Sequence, residues 1–384
     1  MTTNFFDTPQ AAALLKHGVL GRYLRVFVQK TGSTSATKRV AYLDGYAGPG
    51  EYGDGSAGSP AVAVQTARTV AGAGGGVTPI DGYFIESDPD SAQALKTFIA
   101  EKGLHWPVFP GNIEDHLKTV VKMVDPRTPL FAFLDPFGLG IPMDMLREHL
   151  MSRGGQFTKG RRVGGAATEV LLNFSMHGLR RNAGHLTSDS RIPSYLQARD
   201  QILRRLDKSL GGDWWQTIWL SAVIGREETI LAEYLRRLRS LPGNWQTWEV
   251  PVSDRWQGKP DYYLVFLTQH PDGMWHFGES LSNALEPYRE YCLQGQLDLE
   301  PLSVREEEWV AEIKNNLRQL LDQGKPVPVG PRVRDVKGDA LTFAREKHIR
   351  RAIKALHQEG HTPTTGVGDI KEMIVQPPNQ RHML

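Results

Sequence analysis

The chain has 384 residues, of which 40% are hydrophobic and 23% charged, and its 45 Lys and Arg nearly balance its 43 Asp and Glu. This composition is typical of a soluble globular protein and excludes a disordered or membrane-spanning chain. The single cysteine, Cys292, excludes a disulfide framework and any site held by several thiolates, and we expect no metal site. The N-terminus lacks the basic start and apolar run of a signal peptide, so we expect a cytoplasmic protein without membrane contact.

The segment from Val40 to Gly50 combines a predicted strand, a carboxylate at Asp44 and a turn that contains Gly48 and Gly50. This combination is typical of the floor of a nucleoside-binding crevice in a Rossmann-type sheet. The spacing reads D-x-x-x-G-x-G and differs from the G-x-G-x-x-G spacing that cradles a pyrophosphate. It therefore favours a cofactor without phosphate, such as S-adenosylmethionine. The alternative is a turn with a purely structural role.

Predicted helices and strands alternate over the first half of the chain, which indicates βαβ units and a parallel sheet. The apolar run Pro129–Leu134 is typical of a strand that is buried on both faces. The predicted strands lie at Val40–Leu43, Ile80–Ile85, near Val108, Pro129–Leu134 and Glu169–Phe174, and the predicted helices at Thr8–Lys30, Ala61–Val70, Pro89–Lys102, Ile113–Val124 and Met143–Met151.

The alternation stops after the fifth strand. Residues 194–241 show a helical pattern, and a hairpin is predicted between Asp261–Leu267 and Met274–Phe277. Five alternating strands closed by a hairpin predict an α/β fold with the Rossmann-like sheet of the class I methyltransferases. We expect this domain to span residues 1–300 with a helical insertion at about 178–250, followed by a small winged-helix-like domain at 301–384.

Carboxylates end the predicted strands, at the edge where open α/β sheets bind ligands. Glu86, at the end of the second strand, is suited to accept hydrogen bonds from the two hydroxyls of a ribose, and Asp88 is the alternative. Asp88 can instead cap the next helix. Asn112 follows the third strand, where its amide can meet the edge of an adenine, although asparagine is also common in turns.

Asp135-Pro136-Phe137-Gly138 follows the fourth strand. A carboxylate and the proline carbonyl can accept both hydrogens of an exocyclic amino group, and Phe137 offers a surface on which a base can stack. We therefore expect Asp135, Pro136 and Phe137 to present and activate the nucleophile. The alternative is a turn at the strand end with Phe137 in the core.

Two groups of basic residues are candidates for phosphate contacts. Arg180 and Arg181 follow the fifth strand on the predicted substrate side, where they can bind phosphate or form a solvated face. The C-terminal part has eight Lys and Arg against three acids between Arg332 and Lys354. There, a helix from Glu346 resembles the reading helix of a helix-turn-helix, and its outward basic residues are predicted to contact nucleic acid: Arg350, Arg351 and Lys354.

Several motifs resemble those of the three-Cys-motif partner proteins, TcmP, over about residues 8–290. They are Tyr42-Leu-Asp-Gly-Tyr-Ala-Gly-Pro-Gly50, Gly58-Ser-Pro60, Ile85-Glu-Ser-Asp88, Phe133-Leu-Asp-Pro-Phe-Gly138 and Leu172-Asn-Phe174. The resemblance implies a functional partner, a radical S-adenosylmethionine protein that carries three cysteines. The glycine segment is also distantly similar to the ribosomal-RNA adenine-N6 methyltransferases of the J type. Those enzymes have Asp-Pro-Pro-Tyr where this chain has Asp135-Pro-Phe-Gly138.

The sequence therefore predicts an S-adenosylmethionine-dependent methyltransferase that acts on an amino group of a nucleic-acid base. The alternative is a non-catalytic nucleic-acid-binding adaptor that retains the Rossmann core as a scaffold. The expected cofactor-binding residues lie in and around the glycine turn and after the next two strands: Asp44, Gly45, Tyr46, Gly48, Gly50, Glu86 and Asn112.

Overall fold

A computed structural model describes most of the chain, in two compact units, Met1–His270 and Pro271–Leu384. The described residues are 11–52, 55–72, 79–136, 138, 140–153, 155–158, 161–163, 165–188, 190, 192–221, 224–293 and 302–378. The boundary lies 30 residues before the one expected at residue 300, because the helix Pro271–Cys292 belongs to the second unit.

The first unit is built on a seven-stranded sheet with the order β3-β2-β1-β4-β7-β9-β8. Its strands are β1 Val40–Asp44, β2 Ile80–Glu86, β3 Val108–Pro110, β4 Leu130–Leu134, β7 Thr168–Ser175, β8 Gln246–Val252 and β9 Tyr262–Thr268. Two short strands, β5 Gln156–Thr158 and β6 Arg161–Val163, pair with each other outside this sheet.

Pairing is parallel from β3 to β7 and antiparallel for β7 with β9 and for β8 with β9. This order, with an antiparallel pair closing a Rossmann-like series, is the fold of the class I methyltransferases. The register aligns Asp44 of β1 with Phe84 of β2 and Phe133 of β4. The carboxyl ends of these three strands therefore meet at one edge of the sheet, which confirms the predicted fold class.

Strands β1 and β4 are buried along their whole length, as the continuous apolar run at Pro129–Leu134 predicts. Helices pack around the sheet: α1 Ala11–Gly32, α2 Ser59–Gly72, α3 Pro89–Glu101, α4 Ile113–Met123 and the short α5 Met143–Met145, which continues as a π-helical turn, Leu146–Met151. The helical segment between β7 and β8 consists of α6 Met176–Ala183, a 3-10 turn Gly184–Thr187, α7 Pro193–Leu210, α8 Trp214–Leu220 and α9 Arg226–Arg239.

The predicted hairpin is wrong in its second strand. The closing pair is β8 with β9, and the apolar run Met274–Phe277 lies inside helix α10, Pro271–Cys292. Trp275, Phe277 and Leu281 are buried in that helix, and so short an apolar run does not distinguish a helix from a strand. Strand β8 contains Pro251 and lies at the edge of the sheet. An edge strand tolerates proline because one of its sides has no neighbouring strand that needs the missing N–H.

The second unit has helices around a small core and one two-stranded ribbon. Its elements are α10, α11 Leu302–Leu321, β10 Val327–Pro328, α12 Val333–Lys337, a 3-10 turn Gly338–Thr342, α13 Glu346–Gln358 and β11 Ile374–Val375. Ile349, Ile353 and Leu356 of α13 are buried together, as their spacing predicts. β10 and β11 pair in antiparallel fashion. The winged-helix assignment of this unit stays a prediction.

Among the described residues, no helix is both long and apolar enough to cross a membrane.

Candidate cofactor and acceptor site

Asp44 is fully buried at the end of β1. Its carboxylate accepts hydrogen bonds from the hydroxyl of Tyr42 at 2.9 Å, from the backbone N–H of Tyr46 at 3.3 Å and from the side chain of Ser59. Burial raises the pKa of Asp44 to about 7, although these hydrogen bonds oppose the rise. The oxygens of Asp44 are engaged by these protein donors, so Asp44 stabilises the glycine turn and does not contact a ligand directly.

Glu86, at the end of β2, joins two turns through its carboxylate. Oε2 accepts from the N–H of Gly48 at 2.7 Å, and Oε1 accepts from the N–H of Asp88 at 2.7 Å. Each oxygen retains a second lone pair for a ligand hydroxyl. Asp88 instead accepts from the N–H of Ser91 at 2.8 Å and caps α3, which is the alternative role anticipated for it.

Glycine is required at the three predicted positions for different reasons. A Cβ on Gly45 would lie 2.6 Å from Ile113 and 2.7 Å from Leu134, so Gly45 allows the turn to pack tightly. A Cβ on Gly50 would meet Phe98 at 2.9 Å. Gly48, with φ of +68°, has only the hydroxyl of Tyr52 near its missing Cβ, at 3.7 Å. Of the three, Gly48 is therefore the one whose backbone a ligand can approach.

Asn112 is exposed immediately after β3, at the N-terminus of α4. The N–H of the preceding Gly111 donates to the carbonyl of Glu86 at 2.9 Å, which holds this turn beside the end of β2. The Asn112 side chain makes no capping hydrogen bond, so it is available to a ligand. Tyr46 lies deeper, and burial raises the pKa of its phenol.

Asp135 follows β4 and is held from two sides. Its Oδ2 pairs with the ammonium of Lys16 from α1, and its Oδ1 accepts from Nδ2 of Asn173 at 2.7 Å. Lys16 lies on α1, where the sequence is compatible with a residue at the cofactor site or on a solvated face, and its contact with Asp135 follows only from the tertiary structure. Pro136 is buried, and Phe137 lies outside the described residues.

The hydroxyl of Tyr52 lies beside the glycine turn, 3.7 Å from the position a Cβ on Gly48 would take. Burial raises the pKa of its phenol, Lys16 opposes the rise, and Asp135, Asp44 and Glu86 add to it. Glu86 holds the N–H of Gly48, so the phenol lies at the carboxyl end of β2. Tyr52 was missed because it lies in a glycine-rich stretch with no periodic pattern. We refer to Asp44, Glu86, Asp135, Lys16 and Tyr52 together as the crevice.

The two arginines of α6 differ. Arg180 pairs with Glu227 and donates to the carbonyl of Pro260 at 3.0 Å. Arg181 is exposed and makes no ion pair with a described residue. Its Nη2 lies 3.4 Å from the position a Cβ on Gly138 would take, which places this guanidinium beside Gly138.

The predicted basic residues of α13 also differ. Arg350 binds Glu346 at 2.7 Å and the carbonyls of Gly366 at 2.8 Å and Gly368 at 3.0 Å, so it braces the following loop. Arg351 pairs with Glu307 of α11. Lys354 is exposed and has no ion-pair partner in the described part of the chain.

No group of three or more His, Cys, Asp or Glu side chains that could hold a metal ion occurs among the described residues.

No protein-family profile matches the sequence, and no curated protein matches it either. Solved structures that resemble the chain include an O-methyltransferase from Bacillus cereus in complex with SAH, at a TM-score of 0.31 and 14% identity over 65% of this chain and 80% of that one. Cofactor-bound Rv0187 from MTB has a TM-score of 0.29 and 14% identity over 70% and 94%. The precorrin-6y C5,15-methyltransferase of Geobacter metallireducens has 0.24 and 10% over 60% and 79%. TM-scores this low say nothing about the function of this chain.

Proposed function

We propose that the chain is a methyltransferase that binds S-adenosylmethionine in the crevice and methylates an exocyclic amino group of a nucleic-acid base. The observation that carries this proposal is the position of Asp44, Glu86 and Asp135 at the ends of β1, β2 and β4 on the carboxyl edge of the sheet, where Glu86 holds the Gly48 turn. Ligands of open α/β sheets bind at that edge.

The cofactor would lie over the turn that Asp44 and Glu86 organise. Glu86 would accept from the ribose hydroxyls with its remaining lone pairs, the Gly48 backbone would lie against the ligand, and the free amide of Asn112 would meet the adenine edge. The cofactor supplies a methyl group on a cationic sulfonium. Glu86, which has no cationic side-chain partner among the described residues, would favour that positive charge.

Asp135 and the carbonyl of Pro136 would accept the hydrogens of the target amine and orient its lone pair toward the methyl group. Lys16 and Asn173 hold the carboxylate of Asp135 in place, so we assign Asp135 to orientation and hydrogen-bond acceptance. The exposed Arg181 beside Gly138 would contact a phosphate next to the target base. The resemblance to TcmP supports a radical S-adenosylmethionine partner, which we include in the proposal.

One observation favours a second function, a non-catalytic adaptor. Both oxygens of Asp135 already have protein partners, Lys16 and Asn173, as in a carboxylate that serves only to hold a scaffold together. In that case the chain would bind nucleic acid for its partner and transfer no methyl group.

Cofactor titration separates the two functions. We expect saturable binding of S-adenosylmethionine by calorimetry, and transfer of a tritiated methyl group from labelled cofactor to the nucleic acid of a host lysate. Nuclease treatment should release the label, and protease treatment should not. Absence of saturable cofactor binding would support the adaptor and refute the methyltransferase, whereas binding with protease-sensitive label would move the target to a protein.

A further inference from the structure

The first two helices of the chain border an open cleft. It has a volume of about 530 Å³, which lies within the roughly 300–1,000 Å³ of ligand pockets. Arg22 and Arg25 of α1 line one side, and Gln65 and Thr69 of α2 line the other. We call it the α1–α2 cleft.

Small and aliphatic residues form the floor of the α1–α2 cleft. A Cβ on Gly21 would lie 3.1 Å from Cγ1 of Val62, so α1 and α2 approach each other closely at this point. The hydroxyl of Thr69 donates to the carbonyl of Gln65 at 2.8 Å, within its own helix. The charged donors that remain for a ligand are therefore the two arginines.

The two helices that border the cleft carry basic residues and no acid. There are four Lys or Arg on α1 and one on α2, whereas neither helix contains Asp or Glu. The chain as a whole has 45 Lys and Arg against 43 Asp and Glu, so this imbalance is local. Of the five basic residues, Lys16 alone has an ion-pair partner in the described part of the chain, Asp135.

Arg22 and Arg25 are neighbours on one face of α1, because residues three positions apart on a helix lie side by side. Arg22 is half-buried, and its Nη1 donates to the carbonyl of Gly18 at 3.1 Å, which leaves its other N–H groups available. Arg25 is exposed. None of the described residues that line the cleft is a carboxylate. Two adjacent guanidinium groups without a counter-charge favour an anion, and their fork geometry matches phosphate.

The cleft begins beside the crevice. His17 lines the cleft and directly follows Lys16, whose ammonium pairs with Asp135 at the carboxyl edge of the sheet. Ala57 also lines the cleft, and it forms a β-bridge with Glu51, the residue directly after the glycine turn. Residues next to both the acceptor side and the cofactor side of the crevice therefore also border the cleft.

The distance along α1 fits a ligand that extends from the crevice. With a rise of about 1.5 Å per residue, Arg22 and Arg25 lie roughly 9 and 14 Å along the helix from Lys16. A nucleotide whose base is held by Asp135 has neighbouring phosphates on the same strand. Arginines at these distances are placed to contact such phosphates.

We infer that the α1–α2 cleft binds the sugar–phosphate backbone of the nucleic acid that supplies the acceptor base, with Arg22 and Arg25 on its phosphates. This inference rests on the proposed function and names how the acceptor strand is held. The position of the cleft beside Asp135 favours a nucleic acid over an acidic protein. Phosphate contacts set the position of a strand and carry no sequence information, so the two arginines are binding residues.

The first test compares two double substitutions that remove the same charge. Binding of a 20-nucleotide single-stranded RNA to the full chain is measured by fluorescence anisotropy between 50 and 200 mM KCl. Arg22→Gln with Arg25→Gln should lower the affinity about 5- to 20-fold and reduce the slope of log K against log salt by about 1.4, at about 0.7 for each lost phosphate contact. Lys30→Gln with Arg68→Gln changes the same two helices outside the described lining of the cleft, and should reduce the slope by less than half as much.

The second test adds a charge without removing an arginine. Gln65→Glu places a carboxylate in the cleft at nearly unchanged volume and should lower RNA affinity about threefold, the effect of one exposed charge interaction. Gln29→Glu is the same substitution at an exposed position of α1 outside the described lining, and should leave the affinity unchanged. Thermal unfolding verifies that all four variants are folded.

Several outcomes would overturn this inference. Absence of RNA binding by the wild-type chain would do so, as would equal effects of the two double variants or of the two glutamates, because net charge alone would then account for binding. Binding of poly-L-glutamate as tight as that of RNA, and equally dependent on Arg22 and Arg25, would assign the cleft to an acidic protein.

Cofactor titration distinguishes this inference from the proposed function. The affinity of the Arg22 and Arg25 double variant for S-adenosylmethionine should stay within about twofold of wild type, because the crevice is a separate site. Saturable cofactor binding together with RNA binding that ignores the cleft overturns the inference and leaves the proposed function intact. Cleft-dependent RNA binding without cofactor binding overturns the methyltransferase and supports the cleft as the RNA site of an adaptor.

Discussion

The crevice of the first unit and the face between α11 and α13 in the second unit both concentrate charged side chains, but they use them differently. On the α11–α13 face, Glu306 pairs with Arg345 at 3.3 Å and Lys347 at 2.5 Å, and Glu307 pairs with Arg351. In the crevice, the ammonium of Lys16 pairs with Asp135, whereas Glu86 accepts from two backbone N–H groups and Asp44 is buried beneath the glycine turn. The acids of the α11–α13 face are paired with basic side chains, whereas Glu86 in the crevice retains hydrogen-bond acceptors for a ligand.

The charge counts of the two units show how far the basic residues of the second unit are offset. Residues 271–384 contain 15 Lys and Arg against 17 Asp and Glu, and residues 1–270 contain 30 against 26. The basic excess between Arg332 and Lys354 is therefore offset by acids elsewhere in the same unit. A run of basic residues in a sequence indicates a nucleic-acid surface only when its partners in space are not acidic.

The largest expected effect comes from Asp135. Asp135→Ala removes the acceptor for the target amine and should reduce methyl transfer by about 1,000-fold, within the range of about 10²–10⁴ for a positioned acid or base. S-Adenosylmethionine affinity should stay within about twofold of wild type, as measured by calorimetry. Asp125→Ala, an exposed carboxylate paired with Arg127, is the control and should transfer normally. Equal loss of cofactor binding would place Asp135 in the cofactor site instead.

The next effect concerns stability and pH. Burial raises the pKa of Asp44 from 3.8 to about 7, so between these values the folded state holds a proton that the unfolded state has lost. The free energy of unfolding should therefore fall as pH rises from about 4 to 7, by roughly 3–4 kcal/mol from this group. Asp44→Asn removes the titration and should flatten that slope in urea unfolding at pH 5 and pH 8. A slope equal to that of wild type would show that Asp44 is ionised in the folded protein.

A smaller effect is expected at Glu86. Glu86→Ala removes the acceptor for the Gly48 N–H and for the ribose, and should weaken S-adenosylmethionine binding about 10- to 100-fold, as expected for losing one or two charge-assisted hydrogen bonds. Asp88→Ala is the matched control, since Asp88 caps α3, and should lower thermal stability slightly while leaving the dissociation constant unchanged. If both variants bind as wild type does, Glu86 has only a structural role in the turn.

The sequence predicted the parallel strands and the position of their carboxylates because both follow from local patterns. A continuous apolar run marks β4, and a carboxylate after it must lie at the sheet edge. The second strand of the hairpin was misplaced because Met274–Phe277 is short enough to fit a helix or a strand. Local patterns could not reveal the pairing of Lys16 with Asp135, since the two residues are 119 positions apart.

The same reason applies to the functional residues that the sequence missed. Tyr52 lies in a glycine-rich stretch, so neither its residue type nor its spacing marks it. Its position beside Gly48 follows from the fold of the glycine turn, which Glu86 holds through the N–H of Gly48.

The smallest expected effect decides which unit contacts nucleic acid. Arg181 is exposed beside Gly138 without an ion pair among described residues, whereas Arg351 is paired with Glu307. Arg181→Ala should lower the affinity for a 20-nucleotide single-stranded RNA about two- to fivefold and reduce the slope of log K against log salt by about 0.7, the value for one lost phosphate contact. Arg351→Ala should change the slope by less, because Arg351 is bound to Glu307 within the protein. Its loss therefore removes no phosphate contact. Fluorescence anisotropy between 50 and 200 mM KCl measures both slopes. A larger change in salt slope for Arg351→Ala than for Arg181→Ala would place the RNA interface on the second unit. It would also mean that the Arg351–Glu307 pair opens when RNA binds.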